Sequence, residues 1–253
     1  MNSIELTDVE KYFSVNRQRI KVVDRVSLHL EQGKCLALLG PSGCGKSTIF
    51  AMIAGFFPPD AGTVSIKGSI GLCMQDDKLL PWLKIMDNIC LPARIKGRYE
   101  LEAAREKAAS YLPVFGLEGF GQCYPAQLSG GMRKRAALLR TLLAGEDMML
   151  LDEPFSRLDA LTKEDLQQLL KQIMERFAPG VMLITHDIDE ALLLADDICL
   201  LTPRPASVIK KLPVIRKGGK DLPPEEHARM KKEIRSLLSM QHPVKIDFSG
   251  KMP

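Results

Sequence analysis

The stretch GPSGCGKST, residues 40–48, decides the fold because it fits the phosphate-binding pattern G-x-x-x-x-G-K-[ST]. It follows the apolar run CLALL at 35–39 and leads into the helix-compatible run STIFAMIAG at 47–55. Its glycines let successive backbone N–H groups approach phosphate oxygens, and the start of the following helix adds positive potential. The sequence therefore predicts a strand, a phosphate-binding loop and a helix.

The loop residues have distinct expected roles. Lys46 is expected to neutralise the β- and γ-phosphates of a nucleotide, and the Ser47 hydroxyl to complete the coordination of Mg²⁺. The predicted nucleotide-binding residues of the loop are Gly40, Pro41, Ser42, Gly43, Cys44, Gly45, Lys46, Ser47 and Thr48. At average residue frequencies a chance match occurs about one time in a hundred in a chain of this length, and the flanking strand and helix lower that further.

Short apolar runs bounded by turn residues recur along the chain, as expected for buried strands of a mostly parallel sheet. After the first run they lie at 70–74, 148–151, 181–185 and 198–201. The stretch 77–145 instead contains two predicted helices, at 99–112 and 131–144, and no convincing strand. We interpret it as a helical subdomain inserted into an α/β core formed by residues 1–76 and 146–205.

The charge is distributed unevenly. The 253 residues carry a formal net charge of +4 at pH 7, but residues 204–253 hold 12 Lys and Arg against 5 Asp and Glu. Residues 206–253 are therefore interpreted as a basic C-terminal tail, either a solvated surface or a contact for an anionic partner. A last helix is predicted from Pro223 and Pro224 to about Met240.

The composition disfavours several classes of protein. No apolar run reaches the roughly 18–20 residues of a membrane-spanning helix, and the N-terminus lacks the basic flank and apolar stretch of a secretory signal. The six cysteines form no close pair; they stand at positions 35, 44, 73, 90, 123 and 199. We expect reduced thiols in a cytosolic protein, without a disulfide framework or a metal cluster.

Polar residues follow three further apolar runs. Asp152 and Glu153 follow the run at 148–151, while Gln75 and His186 follow the runs at 70–74 and 181–185. Since the carboxyl ends of parallel strands meet at one edge of a sheet, these side chains are expected to converge on the loop. Asp152 would then hold Mg²⁺, directly or through water, and Glu153 would orient or deprotonate a water attacking the γ-phosphate. Taken singly, the same residues would be a helix cap and structural polar groups.

The segment LSGGMRKR, residues 128–135, predicts the start of a helix. Ser129 can cap a helix that begins at the two glycines and stops at Gly145. Three successive cations at 133–135 oppose the helix dipole at a cost of a few tenths of a kcal/mol each. Either they are solvated and screened, or this helix end faces a phosphate whose charge reverses the sign of the cost.

Together these segments resemble the ATP-binding subunit of an ABC transporter, in the order and spacing of that family. GPSGCGKST is similar to the Walker A loop, Gln75 to the Q-loop glutamine, LSGGMRKR to the signature, MMLLDEP to Walker B, residues 156–159 to the D-loop and His186 to the H-loop. The resemblance implies a P-loop NTPase core of the RecA-like type, with a mostly parallel sheet, an N-terminal antiparallel β part and an inserted α-helical subdomain. It implies ATP and Mg²⁺ as cofactors, hydrolysis of ATP with Glu153, His186 and Gln75 as catalytic residues, and Ser47, Gln75 and Asp152 as metal ligands.

The resemblance also implies that two copies of the chain act together. Each ATP would lie between the Walker A loop of one copy and the signature of the other, so that Ser129, Gly130 and Gly131 would bind the partner's γ-phosphate. In the family an aromatic residue two positions after a lysine stacks on adenine. That indicates Phe13, with Tyr12 as the alternative, and base stacking contributes about 1–3 kcal/mol.

Two shorter stretches, QDDKLLPW at 75–82 and TPRP at 202–205, are similar to the nitrate, sulfonate and taurine importers. Leu79, Leu80 and Trp82 would suit docking onto a permease, although Trp82 could equally pack inside the helical subdomain. The implied partners are integral-membrane permease subunits, a second copy and, indirectly, a periplasmic or lipoprotein solute-binding protein, and not nucleic acid. The implied location is the cytoplasmic face of the cell membrane. A sulfonate, taurine, nitrate or a small heterocyclic vitamin precursor remain equally open as the solute.

Some positions depart from the family pattern. Lys134 stands where the group usually has Gln, and Arg157 replaces a small residue of the D-loop. The residues after Pro205 are too few for the regulatory β-barrel that some importers append.

The same residues disfavour three rival functions. A DNA-repair or chromosome-organising ATPase, the main alternative, needs a long heptad insertion, whereas only 83 positions separate Lys46 from Ser129. A GTPase needs an Asn-Lys-x-Asp element, and the nearest string, at 162–165, indicates a helix start. Intact Lys46, Asp152, Glu153 and His186 disfavour a non-enzymatic scaffold.

Overall fold

The computed structural model describes residues 2–156, 158–216 and 221–240. Arg157, one of the departures from the family pattern, and the end of the basic tail lie outside these ranges. The described strands are β1 (Ser3–Val15), β2 (Gln18–Glu31), β3 (Cys35–Leu39), β4 (Ala61–Lys67), β5 (Ile70–Cys73), β6 (Met148–Asp152), β7 (Gly180–Thr185), β8 (Asp197–Leu201) and β9 (Val208–Pro213). The described helices are α1 (Lys46–Ile53), α2 (Ile85–Ile89), α3 (Leu91–Lys96), α4 (Arg98–Tyr111), α5 (Gly130–Leu143), α6 (Ala160–Phe177), α7 (Ile188–Leu194) and α8 (Pro224–Ser239).

The strands form two sheets. The larger has the order β5-β6-β7-β3-β8-β9, and all its neighbours run parallel except the antiparallel pair β8 and β9. The smaller is antiparallel, with the order β2-β1-β4. This arrangement confirms the predicted α/β class with a mostly parallel sheet and an N-terminal antiparallel part.

The central strand β3 shows why the sheet forms where the apolar runs predicted it. All five of its residues are buried, because both faces of the sheet are covered. Leu36 and Leu38 face a core shared with α1 and the small sheet, whereas Ala37 and Leu39 face a core shared with α5, α6 and α7. Because both faces of this strand are buried, its residues are all apolar and do not alternate with polar ones.

Residues 77–145 contain α2 to α5, and no described residue among them lies in a strand. The helices α4 and α5 begin and end within one residue of the predicted bounds. The sequence did not predict α2 and α3, because helices of five and six residues are too short to display a helical period. Ile85 and Ile89 of α2 are fully buried nonetheless.

The large sheet continues past residue 205, where the sequence analysis placed the end of the core. Strand β9 pairs with β8 from Val208 to Pro213, and α8 buries Met230 and Ile234 against the same core. The boundary at 206 was therefore wrong for this segment. Lys210 and Lys211 are exposed on this edge strand, where charged side chains discourage pairing with other chains. Their charges made the segment resemble a solvated tail in the sequence.

Within the described ranges, no helix combines the length and apolar character that crossing a membrane requires.

Candidate active site

The loop between β3 and α1 lies at the carboxyl edge of the large sheet and lines a cavity of about 370 Å³. The cavity is lined by Val22, Ser42, Gly43, Gly45, Lys46, Ser47, Thr48, Gln75, Glu153 and Arg204. Lys46 is only 5% exposed, and its Nζ donates to the carbonyl oxygens of Gly40 and Pro41 at 2.7 and 2.9 Å. The loop thus holds a buried ammonium group with its own backbone beside an open cavity, an arrangement suited to an anionic ligand.

Two loop glycines are required by the surrounding structure. Gly45 has a φ of 131°, and a Cβ there would lie 2.9 Å from the Val22 carbonyl oxygen and 3.1 Å from the Ala206 Cβ. Gly43 has a φ of 72°, which glycine adopts without steric cost. Cys44 is buried beneath the loop, and its Sγ would lie 3.1 Å from a Cβ on Gly40. Gly40, Pro41 and Cys44 therefore form the support of the loop, and the residues from 42 to 48 other than Cys44 form its cavity face.

Asp152 occupies the end of β6, beside the loop. The Ser47 hydroxyl lies close enough to its carboxylate to favour the charged form. Burial and the neighbouring charge of Glu153 raise the pKa of Asp152 above its ordinary value, and the Ser47 hydroxyl opposes this rise only in part. A carboxylate in this setting would be stabilised by a nearby cation.

Glu153 is held between two of the predicted site residues. Its Oε2 accepts from Gln75 Nε2 and its Oε1 lies beside His186 Nδ1, each at 3.2 Å. Its backbone is left-handed, with φ at 45°, which costs about 1–3 kcal/mol in a residue other than glycine. The backbone N–H donates to the Ile184 carbonyl oxygen at 2.9 Å and maintains this conformation. The structure therefore brings Gln75, Glu153 and His186 together, as the strand ends predicted.

A network that no sequence pattern indicated supports the histidine. A second cavity of about 390 Å³ shares Gln75 and Glu153 with the first and is bordered by His186 and Lys163. Lys163 Nζ lies 2.6 Å from an Asp187 carboxylate oxygen and 2.8 Å from one of Glu190. Glu190 is 5% exposed and accepts a hydrogen bond from the hydroxyl of Thr185. No sequence spacing links α6 to α7, so only the fold reveals that Lys163 fastens the segment carrying His186.

The structure does not bring Phe13 to the loop. The Phe13 ring is 39% exposed and packs edge-on against Phe57, with ring centroids 5.6 Å apart. Neither ring borders the cavity that Lys46 lines. The alternative, Tyr12, has its hydroxyl on the carboxylate of Glu10 and its ring beneath the guanidinium of Arg19, 4.1 Å from the centroid. The adenine-stacking role of Phe13 thus stays a prediction.

The signature segment lies apart from this cavity. Ser129 caps α5 as predicted, since its Oγ accepts from the Met132 N–H at 3.2 Å. Ser129 and Gly130 are exposed, and Gly131 is half-buried. None of the three borders the cavity of the loop.

Two of the three cations in the first turn of α5, Arg133 and Lys134, have partners within the chain. Arg133 Nε lies 3.0 Å from an Asp77 carboxylate oxygen, and its Nη1 donates to the Leu128 carbonyl oxygen at 2.9 Å. The Lys134 ammonium donates to the Gln75 carbonyl oxygen. The unfavourable interaction of these two charges with the helix dipole is therefore offset inside the chain, and a facing phosphate is not needed to explain them.

A buried cationic loop followed by a helix, with a carboxylate, a glutamine and a histidine at neighbouring strand ends, defines a nucleotide-hydrolysing class of site. The family model described as ABC transporter matches residues 23–156, more than half of the chain. The chain belongs to the ABC transporter family.

Relatives support the same assignment. The chain is 41% identical over 222 residues to a taurine import ATP-binding protein of Pseudomonas aeruginosa, covering 85% of this chain and 84% of that protein. It is 42% identical over 224 residues to a formylaminopyrimidine import ATP-binding protein of Halalkalibacterium halodurans, covering 86% and 90%. Its fold is similar to that of the dimeric ATP-binding cassette MJ0796 in a post-hydrolysis state bound to ADP and Pi. That likeness has a TM-score of 0.75 and 29% identity, over 85% of this chain and all of that one.

Proposed function

We propose that this chain is the ATP-binding and ATP-hydrolysing subunit of an ABC importer for a small solute. The observation that carries the proposal is the Glu153 carboxylate, fixed between Gln75 and His186 beside a loop that buries Lys46. The two relatives named above are import ATP-binding proteins for taurine and for formylaminopyrimidine, so what they share is the ATP-binding role and not the solute. The solute is determined by partner proteins.

The residues present fit Mg²⁺. The Ser47 hydroxyl, the Asp152 carboxylate and the Gln75 amide oxygen are the hard oxygen ligands that this ion prefers, and the first two lie close enough for the hydroxyl to lower the pKa of the carboxyl group. The Gln75 amide nitrogen donates to Glu153, which leaves the amide oxygen as its ligand atom. When bound, Mg²⁺ would neutralise developing charge on the β- and γ-phosphates.

The side chains divide the work of hydrolysis. The loop N–H groups and Lys46 bind the phosphates and hold the triphosphate in one position. Glu153 orients the attacking water and takes its proton at a carboxylate oxygen. His186 and Gln75 hold that carboxylate from two sides, and Lys163 holds the segment that carries His186. The left-handed backbone of Glu153 fixes the direction in which its carboxylate points.

A second copy of the chain would complete the site. Ser129 and Gly130 are ordered by the start of α5 yet exposed, and in their own chain they lie outside the nucleotide cavity. The structural relative MJ0796 is a dimer. We infer that two copies enclose two ATP molecules and that each copy presents its serine and glycines to the nucleotide bound by the other.

The permease would dock on the segment that follows Gln75. Leu79 is buried and packs in the larger core, which removes it from the docking surface. Trp82 is 69% exposed, so of the two alternatives left open by the sequence the structure favours docking over packing. Such a contact would place the chain at the cytoplasmic face of the membrane, and a solute-binding protein would act on it only through the permease.

Light scattering of the Glu153→Gln variant tests the proposal. The amide keeps the hydrogen-bonding shape of the side chain but cannot accept the proton, so the variant should bind MgATP, fail to hydrolyse it and accumulate as a dimer. The matched control is Glu153→Gln combined with Lys46→Ala, which should stay monomeric because it lacks the buried ammonium. A monomeric Glu153→Gln protein at saturating MgATP, or one with wild-type turnover, would contradict the proposal.

A further inference from the structure

Arg204 occupies the turn between β8 and β9 and extends toward the phosphate-binding loop. Its Nη2 and Nε lie 3.0 and 3.3 Å from the carbonyl oxygen of Gly43, so both N–H groups donate to the loop. The guanidinium borders the same cavity as Lys46. From the sequence alone, TPRP indicated a subfamily resemblance and no role for this arginine.

The turn that carries Arg204 is fastened on both sides. Within the turn, Thr202 Oγ1 donates to the Pro205 carbonyl oxygen at 2.8 Å and accepts from the Ser207 N–H at 2.9 Å. Two backbone hydrogen bonds, both of 2.8 Å, join the turn to β2. The Ala206 N–H donates to the Val22 carbonyl oxygen, and the Ala206 carbonyl oxygen accepts from the Asp24 N–H. These hydrogen bonds hold the turn, and with it the Arg204 backbone, in one position. Such pre-positioning lowers the entropic cost of binding a ligand.

The guanidinium has unused binding capacity. Arginine carries five N–H donors, of which two bind the Gly43 carbonyl oxygen. In the described part of the chain, no carboxylate forms an ion pair with Arg204, and the side chain is exposed. The guanidinium therefore has donors left for a ligand in the cavity, which Lys46 also lines.

We propose that Arg204 binds a phosphate group of the nucleotide, as a second cationic contact beside Lys46. The inference rests on the proposed function, because it takes the cavity to be the ATP site. A phosphate is favoured over the base because the guanidinium matches its geometry and adjoins the loop N–H groups. The rings of Phe13 and Phe57 that could sandwich a base pack on each other elsewhere.

Binding measurements on the purified full chain test the proposal with two probes, ATP and inorganic tripolyphosphate, which has no base. Arg204→Ala and Arg204→Gln should weaken both by about tenfold, the ordinary effect of losing one charge-assisted hydrogen bond. Arg204→Lys, which keeps the charge, should retain most of the affinity. Arg94→Ala, which removes an exposed arginine of α3, is the matched control and should bind like wild type.

Three results would overturn the proposal. Wild-type affinity in Arg204→Ala would remove the contact altogether. Wild-type affinity in Arg204→Gln alone would show that the side chain only donates to the Gly43 carbonyl oxygen, which an amide can also do. A loss seen with ATP but not with tripolyphosphate would assign the contact to the base or ribose.

Lys46→Ala separates this inference from the proposed function. If Lys46→Ala binds both probes like wild type, the loop is not the nucleotide site and the proposed function fails. If Lys46→Ala binds weakly while the Arg204 variants bind like wild type, only the inference about Arg204 fails. Thermal unfolding of each variant verifies that the fold is retained, and the Lys variant measures the site even if the Ala variant unfolds.

Discussion

The two ends of the proposed ATP site differ in how much of their chemistry one chain supplies. At the loop end, Lys46 is buried among carbonyl oxygens, and Glu153 is fixed by hydrogen bonds from two strand ends. At the signature end, the Ser129 hydroxyl binds only the start of its own helix, and Gly130 is exposed. The loop end is thus assembled by folding, whereas the signature end is ordered by folding but lacks a ligand until another molecule arrives.

Cations of α5 connect the two ends through contacts within the chain. Arg140 donates to the carbonyl oxygens of Asp77 and Lys78, both at 2.9 Å, and Arg133 binds the carboxylate of Asp77. Lys134 donates to the carbonyl oxygen of Gln75. These contacts hold α5, which begins with the signature, against the segment that starts at Gln75. They are the kind of physical connection that any coupling between the two ends would require.

The largest expected effect lies at the loop end. His186→Ala removes one of the two groups that hold Glu153, so turnover should fall by about 10²–10⁴-fold. The affinity for ATP should stay within about twofold of wild type, because His186 does not border the cavity of the loop. Phosphate release and equilibrium binding measure the two quantities.

The control for that prediction is His29→Ala, which removes an exposed histidine of β2 whose Nε2 lies 3.2 Å from Glu31 Oε1. It should change neither turnover nor affinity. A turnover above about a tenth of wild type in His186→Ala would show that Gln75 alone is enough to hold the carboxylate.

At the signature end, stability and turnover should separate. Ser129→Ala removes the helix cap and should cost about 1 kcal/mol of unfolding free energy. Ser129→Asp keeps a cap and should restore stability, yet its carboxylate would face the phosphate bound by the partner and reduce turnover by at least about 10²-fold. Chemical denaturation and phosphate release give the two readouts. Wild-type turnover in Ser129→Asp would mean that this serine faces no nucleotide in the assembled dimer.

The sequence could predict the loop end because its residues occupy fixed offsets from apolar strands. Asp152 and His186 each follow a buried run directly, so the sheet alone brings them together. Lys163 and Arg204 had no such signal, because each reaches the site from a different part of the fold through tertiary packing. The edge strand β9 was missed because its lysines hid its pairing, and the short helices because they span little more than one turn.

A smaller effect tests how tightly the signature helix packs. A Cβ on Gly131 would lie 2.5 Å from Thr162 Cγ2 of α6, whereas one on Gly130 meets nothing closer than 4.0 Å. Gly131→Ala should therefore lower the unfolding free energy by about 1 kcal/mol, since overpacking outweighs the better helix propensity of alanine. Gly130→Ala, the matched control, should be neutral or slightly stabilising. Adding Thr162→Ser, which deletes the clashing methyl, should rescue Gly131→Ala, and failure of that rescue would place the strain elsewhere.

The smallest effect should come from Asp152, where binding opposes stability. Burial and the charge of Glu153 raise its pKa, so in the folded chain its charged form is disfavoured, and stability is lost as the pH rises from the unfolded-state pKa through the folded one. Without ligand, Asp152→Asn should therefore be slightly more stable than wild type at pH 7, and the difference should vanish below about pH 4. MgATP should reverse the order, because only the wild-type carboxylate can hold the ion.

Asp159→Asn is the control of opposite sign. The Thr162 N–H at the start of α6 lowers the pKa of Asp159, so the charge of Asp159 stabilises the fold and its removal should lower stability at pH 7. Thermal unfolding between pH 4 and 8 measures the stability of Asp152→Asn and Asp159→Asn. Equal pH profiles for the two variants would show that the charge of Asp152 does not destabilise the ligand-free fold.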